Sequence, residues 1–302
     1  MSAPEGRQPL TEPAPDIERG VESGAAVEGD AGEMREPAAR PSLVFIHGTR
    51  LSGDLWAPQR ADLGRRFRVV TPDLPGHGQR ADETFTLAGA TAGVARILRE
   101  ETTRQGTPPV LIGLSLGGFV AMDVAARHPG HVGGLVIAGA SGEPGGPLSL
   151  PILLLERILS AGGRRLQTRL NAWYFRSRYG AAMAEPIIRG GFWPAGGVQA
   201  LRAIRAERFA PRLAAYPGPT LILNGDWDLF FRSGSRTFAR VAVDARRVRL
   251  ARATHLSNLD QPAAFDAAIE RFVEGVVLPS VATRRPGIGD PGGRLPATPD
   301  VP

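Results

Sequence analysis

Gly113-Leu114-Ser115-Leu116-Gly117 sets a hydroxyl between two glycines, where an apolar run meets an Ala-rich one. The run Pro109 to Ile112 is short and continuously apolar, as a strand buried on both faces requires. Gly118 to Arg127 reads as a helix, closed by His128-Pro129-Gly130. A Ser on the sharp turn between such elements exposes its Oγ, and small residues two before and two after it keep neighbouring side chains from colliding. Without those flanks the same pentapeptide is an ordinary tight turn.

A serine hydroxyl is a poor nucleophile, so this chemistry needs a His to take its proton and a carboxylate to orient that His. The chain has five His. His47, at the end of a buried strand, reads as a brace for the loop that follows, and His77, in Asp73-Leu74-Pro75-Gly76-His77-Gly78, as a second brace. His128 and His131 flank a helix end, where capping or solvent exposure suffices. His255, in Thr254-His255-Leu256-Ser257 after the strand-like Val248 to Ala251, stands last, where the chain order Ser, acid, His puts the base. The acid is expected in Asn224-Gly225-Asp226-Trp227-Asp228, the exit loop of strand 220–223. Asp228, past the turn, is the preferred acid and Asp226 the turn cap. Without Ser115 and His255, two Asp closing a loop by local hydrogen bonds would explain the segment equally well.

These features resemble the α/β-hydrolase superfamily, in its capped esterase, lactonase and haloperoxidase-like form, over residues 41–277. The resemblance rests on Phe45-Ile46-His47-Gly48, Asp73 to Gly78, the Ser115 turn, Asn224 to Asp228, and His255 followed by Asp260-Gln261-Pro262, in that order. It implies an oxyanion hole built from the backbone N–H groups of Leu116 and Thr49. Arg80 departs from the small hydroxyl residue often carried there, which bears on the loop or pocket rim. A Ser nucleophile is a poor fit to the epoxide hydrolases and haloalkane dehalogenases of this superfamily, which use Asp there. The implied activity is cleavage of an ester-like bond of a small molecule through an acyl-enzyme. Cofactor-free haloperoxidase or perhydrolase chemistry, or non-catalytic ligand binding, are the alternatives on the same fold, and recruitment through the tails is a third.

Composition narrows the field. The chain has no Cys, which excludes disulfides, Cys-ligated metal and thiol nucleophiles, and its 36 basic residues are all Arg, which excludes Schiff-base and Walker-type lysine chemistry. Neither a metal-ligand spacing among the His nor a dinucleotide-binding glycine motif is present, so no cofactor and no metal are expected. The net charge of +6 is unevenly spread: residues 1–40 hold 4 Arg against 9 acids, and residues 141–219 hold 11 Arg against 4. No nucleic-acid motif accompanies that excess, so nucleic acid is not an expected partner. A solvated helix face is its simplest reading, with an anionic-substrate lure or membrane-surface contact as the others.

The elements that must position these residues alternate. Strands at 42–47, 67–72, 109–114 and 132–138 and helices near 54–65, 87–103 and 116–127 predict a doubly wound, mainly parallel α/β sheet of about six strands. The superfamily's opening antiparallel hairpin is not visible. Residues 141–219 interrupt the alternation and are expected to form a helical cap over Ser115. There Leu150 to Leu155 opens an apolar helix too short to span a bilayer. Trp173, Tyr174, Phe175, Phe192 and Trp193 either line a pocket or fill the cap's own core. The sheet resumes at 220–223, followed by helix 234–241, strand 246–251 and helix 262–276. Residues 1–40 and 278–302, rich in Pro and Gly, are expected to be disordered, with no secretory signal or transmembrane segment, and the cytoplasm is the expected location.

Overall fold

The computed structural model describes residues 40–146, 149–161 and 163–284; the expected disorder of the first 39 residues and of those after 284 lies outside the described residues. Six strands form one parallel sheet in the order β2-β1-β3-β4-β5-β6. They are β1 (Leu43–Ile46), β2 (Val69–Val70), β3 (Val110–Leu114), β4 (Gly134–Ala138), β5 (Pro219–Gly225) and β6 (Asp244–Leu250). Every residue of β1, β3, β4 and β5 is buried, which explains their continuous apolar runs. β6, at the edge, carries Arg246, Arg247 and Arg249 toward solvent, and such charge discourages pairing with another chain. The order reverses between β1 and β3, so the loops leaving these strands diverge and open a crevice at their C-terminal ends.

Helices cover both faces. One layer holds α1 (Ala57–Leu63) and α10 (Pro262–Phe272), against Leu43, Phe45, Val110 and Ile112. The other holds α2 (Leu87–Gln105), α3 (Leu116–Arg127) and α8 (Leu229–Val241), against Val44, Ile46, Leu111 and Ile222. α3 is buried on every side from Leu116 to Ala125, as a helix that is apolar all round must be. Its single acid, Asp123, has a buried carboxylate that accepts from Thr91 of α2 (2.6 Å) and pairs with Arg127 (2.9 Å) and Arg212 (2.8 Å).

Between β4 and β5 the chain inserts four helices: α4 (Ser149–Ala161), α5 (Arg164–Gly190), α6 (Pro194–Arg205) and α7 (Ala210–Ala215). α5 is two helical pieces broken at Gly180, whose φ of 76° is left-handed. Glu143, at the entrance of the insertion, accepts from the N–H groups of Phe209 (2.9 Å) and Ala210 (2.8 Å), capping α7 at its exit. α4 buries Ile152 and Leu159 and leaves Leu150, Leu154 and Ile158 exposed, so its apolar residues face two ways. No described helix is long and apolar enough to cross a membrane.

Several boundaries differ from the sequence expectation: β2 keeps only Val69–Val70 of the expected 67–72, and β4 starts at Gly134 instead of 132. α8 starts at Leu229, directly after Asp228, instead of near 234. Gly234 lies inside it, and a Cβ there would come within 2.1 Å of the Ser141 carbonyl; the glycine permits close packing and does not break the helix. At the C-terminus, a π-helical turn (Val273–Val277) joins α10 to α11 (Leu278–Arg284), so helix continues past 277 into the segment expected to be disordered.

His47 and His77 brace the loops at the top of β1. Nδ1 of His47 donates to the Gly48 carbonyl (2.8 Å) while Nε2 accepts from Leu74 N–H (3.0 Å). His77 Nδ1 donates to the Pro75 carbonyl (2.9 Å) and Nε2 accepts from Arg50 N–H (3.2 Å). Each ring is therefore a neutral imidazole used as donor and acceptor at once. Burial lowers the pKa of His47 to about 4 and of His77 to about 3, and His47 also disfavours charge on His77.

Asp123→Ala is expected to cost about 3 kcal/mol in urea unfolding, because it leaves the Thr91 hydroxyl without its partner and Arg212 with Glu207 alone; Asp123→Asn should cost less. Acid should also weaken the fold. Both imidazoles have folded pKa values below the ordinary 6.5, so their contribution is present above pH 6.5 and is lost as pH falls toward 4 and 3. Asp266, whose carboxyl burial raises to about 7, acts oppositely and favours the fold at low pH. Comparing unfolding free energies at pH 7 and about 4.5, His77→Gln should narrow the gap by on the order of 2 kcal/mol.

Candidate active site

Ser115 leaves β3 with φ 54° and ψ −116°, a strained backbone for a residue with a side chain, costing about 1–3 kcal/mol. The surroundings hold it there. Ser115 N–H donates to the Ala138 carbonyl of β4 (2.8 Å), and the Ser115 carbonyl accepts from Gly118 (2.9 Å) and Phe119 (3.2 Å) in the first turn of α3. Both flanking glycines are required. A Cβ on Gly117 would approach the Ile46 carbonyl to 2.1 Å, and one on Gly113 the Gly117 carbonyl to 2.2 Å. Among the described residues, the other non-glycine residues with left-handed φ are Arg50 (56°) and Arg252 (57°). All three lie in loops following β1, β3 or β6, the loops that carry Thr49, Ser115 and His255.

The exit loops of β5 and β6 are laced together. Asp226 N–H donates to the Leu250 carbonyl (2.9 Å) and Trp227 N–H to the Ala253 carbonyl (2.9 Å). Asp226 turns outward and pairs with Arg249 (2.6 Å), while its carbonyl accepts from Arg232 (2.6 Å). Asp228 turns inward. Its carboxylate, 3% exposed, accepts from His255 Nδ1 at 2.9 Å. The tautomer that donates from Nδ1 leaves Nε2 as a free acceptor. The Phe231 ring, one turn along α8, stacks on the His255 imidazole with centroids 5.0 Å apart and planes 23° from parallel. Thr254, the residue before His255, is fixed by donating its N–H (2.6 Å) and hydroxyl (2.5 Å) to Asp260, which also pairs with Arg178 of α5 (2.7 Å).

Ser115, Asp228 and His255 line one cavity of about 280 Å³, together with Thr49 and Leu116. Neither Thr49 N–H nor Leu116 N–H has a protein acceptor among the described residues. Leu116 N–H also stands at the N-terminus of α3, where the helix dipole favours negative charge. Leu114 and Phe119 supply apolar walls, and Ile152, Leu155, Phe175 and Leu201 close the cavity from the inserted helices. Of the aromatic residues in the insertion, Phe175 lines this cavity and Phe192 is buried beside it in the same core, whereas Trp173 is 68% exposed. Arg80 binds Glu83 (2.7 and 2.6 Å) and reaches the Asp73 carbonyl (3.4 Å), so it braces its own loop.

Among the cavity residues that sequence reasoning missed, Arg50 is charged and Phe231 stacks on the His255 ring. Phe231 has a local signal, since it follows Asp228 by three positions on a helix that starts there. Arg50 follows Thr49 directly, but nothing in its neighbours' spacing tells whether its long side chain points to solvent or inward. No group of three or more His, Asp or Glu among the described residues is placed to hold a metal ion.

Residues 43–268 match the sequence profile of the alpha/beta hydrolase family. A pimeloyl-[acyl-carrier protein] methyl ester esterase of Aromatoleum aromaticum is 38% identical over 102 residues, which is 34% of this chain and 38% of that protein's length. The 3-oxoadipate enol-lactonase 1 of Acinetobacter baylyi is 25% identical over 254 residues, covering 81% of this chain and 92% of the relative. Among solved structures, the enol-lactonase of Burkholderia xenovorans superposes with a TM-score of 0.64 at 25% identity, covering 78% of this chain and 92% of that one. The profile match takes in all six strands, the Ser115 turn and the loops bearing Asp228 and His255, and the chain belongs to the alpha/beta hydrolase family.

Proposed function

We propose that the chain is a serine hydrolase that cleaves a carboxylic ester-like bond of a small molecule by two-step acyl transfer. The observation that carries this reading is the Asp228–His255 hydrogen bond of 2.9 Å opening onto the same small cavity as the strained Ser115. His255 Nε2 takes the Ser115 proton as Oγ attacks the ester carbonyl carbon. The carbonyl oxygen becomes an oxyanion that accepts from Thr49 and Leu116 N–H. Asp228 holds the imidazole with its proton on Nδ1 and stabilises the imidazolium that forms. As the tetrahedral species collapses, the bond to the leaving oxygen breaks and His255 protonates the departing alcohol. Water, deprotonated by the same Nε2, then releases the acid and restores Ser115.

The pre-set N–H groups add their own share of the rate. They cost no reorganisation when charge develops, and removing one such donor typically costs about 10²- to 10³-fold. Burial of Asp228 and the stacked Phe231 keep the imidazole from rotating away. Relatives bearing the names methyl ester esterase and enol-lactonase support an ester or lactone bond as the target. The cavity, at about 280 Å³, lies near the low end of ligand pockets and supports a short acyl group.

Purified protein should therefore hydrolyse p-nitrophenyl esters, with an optimum at about six acyl carbons or fewer. Ser115→Ala should lower kcat by about 10⁴-fold or more with the fold intact by circular dichroism, and Asp228→Asn by about 10⁴-fold through the wrong imidazole tautomer. Turnover that survives Ser115→Ala would overturn the assignment.

A further inference from the structure

Arg50 lines the cavity, and among the described residues no carboxylate pairs with it. Arg50 stands directly after Thr49, and its backbone is fixed on both sides: its N–H donates to His77 Nε2 (3.2 Å) and its carbonyl accepts from Trp193 N–H (2.8 Å). Its φ of 56° is left-handed, so the surrounding contacts hold this residue in a conformation it would not choose alone. The side chain is half-buried and reaches between the sheet and the inserted helices, where Nη1 donates to Asn171 Oδ1 of α5. No other acceptor and no ion pair for this guanidinium occurs among the described residues. Burial lowers its pKa, with only a small opposing effect from Tyr174.

That arrangement leaves part of the guanidinium's donors without a protein partner among the described residues. A guanidinium presents several planar N–H donors, and a buried one ordinarily spends them on a carboxylate. Most described arginines of this chain that are as buried do so. Arg212, for example, pairs with both Asp123 (2.8 Å) and Glu207 (2.6 Å). Arg50 instead keeps its free donors beside walls supplied by Leu51, Leu155 and Phe175. In such a low-dielectric setting a planar anion gains a charge-assisted, two-point hydrogen bond, and the fork matches a carboxylate.

Resting on the serine hydrolase reading, we propose that Arg50 binds a free carboxylate on the substrate, so that the esters cleaved are monoesters of short dicarboxylic acids. The ester carbonyl sits at Ser115 and the Thr49 N–H, while the far carboxylate is held by the guanidinium of the next residue along the chain. Asn171 positions that guanidinium through Nη1, leaving its remaining donors for the anion.

The test compares p-nitrophenyl hydrogen glutarate with p-nitrophenyl pentanoate, two esters of equal acyl length that differ in one charged end. The protein is expected to favour the glutarate ester in kcat/KM by about tenfold or more, mostly through KM. Arg50→Gln, which keeps a donor for Asn171, should lower the glutarate-to-pentanoate ratio by about 10- to 100-fold, and Arg50→Lys should restore part of it. A preference for the pentanoate ester, or a ratio unmoved by Arg50→Gln, overturns the proposal; an equal loss on both esters would mean that Arg50 only props the inserted helices. Absence of turnover on both esters would instead overturn the hydrolase reading. Carboxylate binding is then read by calorimetry with monomethyl glutarate on Ser115→Ala. Saturable binding that Arg50→Gln weakens tenfold or more supports the role of Arg50, and binding that is absent or insensitive to the substitution overturns it.

Discussion

The close passage of the Gly117 backbone against the Ile46 carbonyl is the contact on which the rest of the site depends. Only a residue without Cβ fits at Gly117, where an added carbon would sit 2.1 Å from that oxygen. Because β1 and β3 are neighbours and Ile46 pairs with Gly113, this contact locks the turn after β3 to the end of β1. It accompanies the left-handed conformation at Ser115, and it places the first N–H of α3 at the same cavity as the loop carrying Thr49. The candidate nucleophile and the candidate oxyanion donors thus meet at one steric constraint.

Around that constraint, the polar groups are assigned with little freedom. His47 and His77 spend both ring nitrogens on backbone partners and stay neutral, so they hold loops without adding charge beside the cavity. Asp226 and Asp228, two residues apart, face opposite ways: the first is drawn out by Arg249, the second is buried against His255. Asp123 anchors α3 from below through α2 and α7, which stabilises the helix whose N-terminus meets Ser115. Because the chain carries Arg and no Lys, the pairs of Asp226 with Arg249 and of Asp123 with Arg212 are not lost through deprotonation of the basic partner in the ordinary pH range.

The alternation of apolar strands with helices was legible in the sequence because strands buried on both faces are continuously apolar, and the six-stranded parallel sheet follows from it. That Ser115, Asp228 and His255 line one cavity was legible for a related reason: each sits past a strand end on the same side of the parallel sheet. Other features left no such trace. The first turn of α8, from Leu229, was not read as helix, and Gly234 inside that helix lies against the Ser141 carbonyl. Continuation of helix through residues 278–284 was hidden by Pro279, which helices accept in a first turn and composition counts as a loop residue. The inward turn of Arg50 depends on His77, Trp193 and Asn171, residues 27 to 143 positions away, and no local pattern encodes it.

The insertion leaves the sheet after β4 and returns at β5, and these strands are direct neighbours in register from Leu135 with Thr220 to Ala138 with Leu223. Entry and exit are therefore only one strand spacing apart at the base, tied by Glu143 across the gap to Phe209 and Ala210. A segment hung from two adjacent points can lengthen, shorten or be exchanged without altering the pairing of any strand. The roof of the cavity, with Ile152, Leu155 and Phe175, is thereby separable from the floor that holds Ser115, Asp228 and His255. Such a scaffold lets substrate choice drift through one contiguous stretch of chain while the reactive geometry beneath it stays untouched.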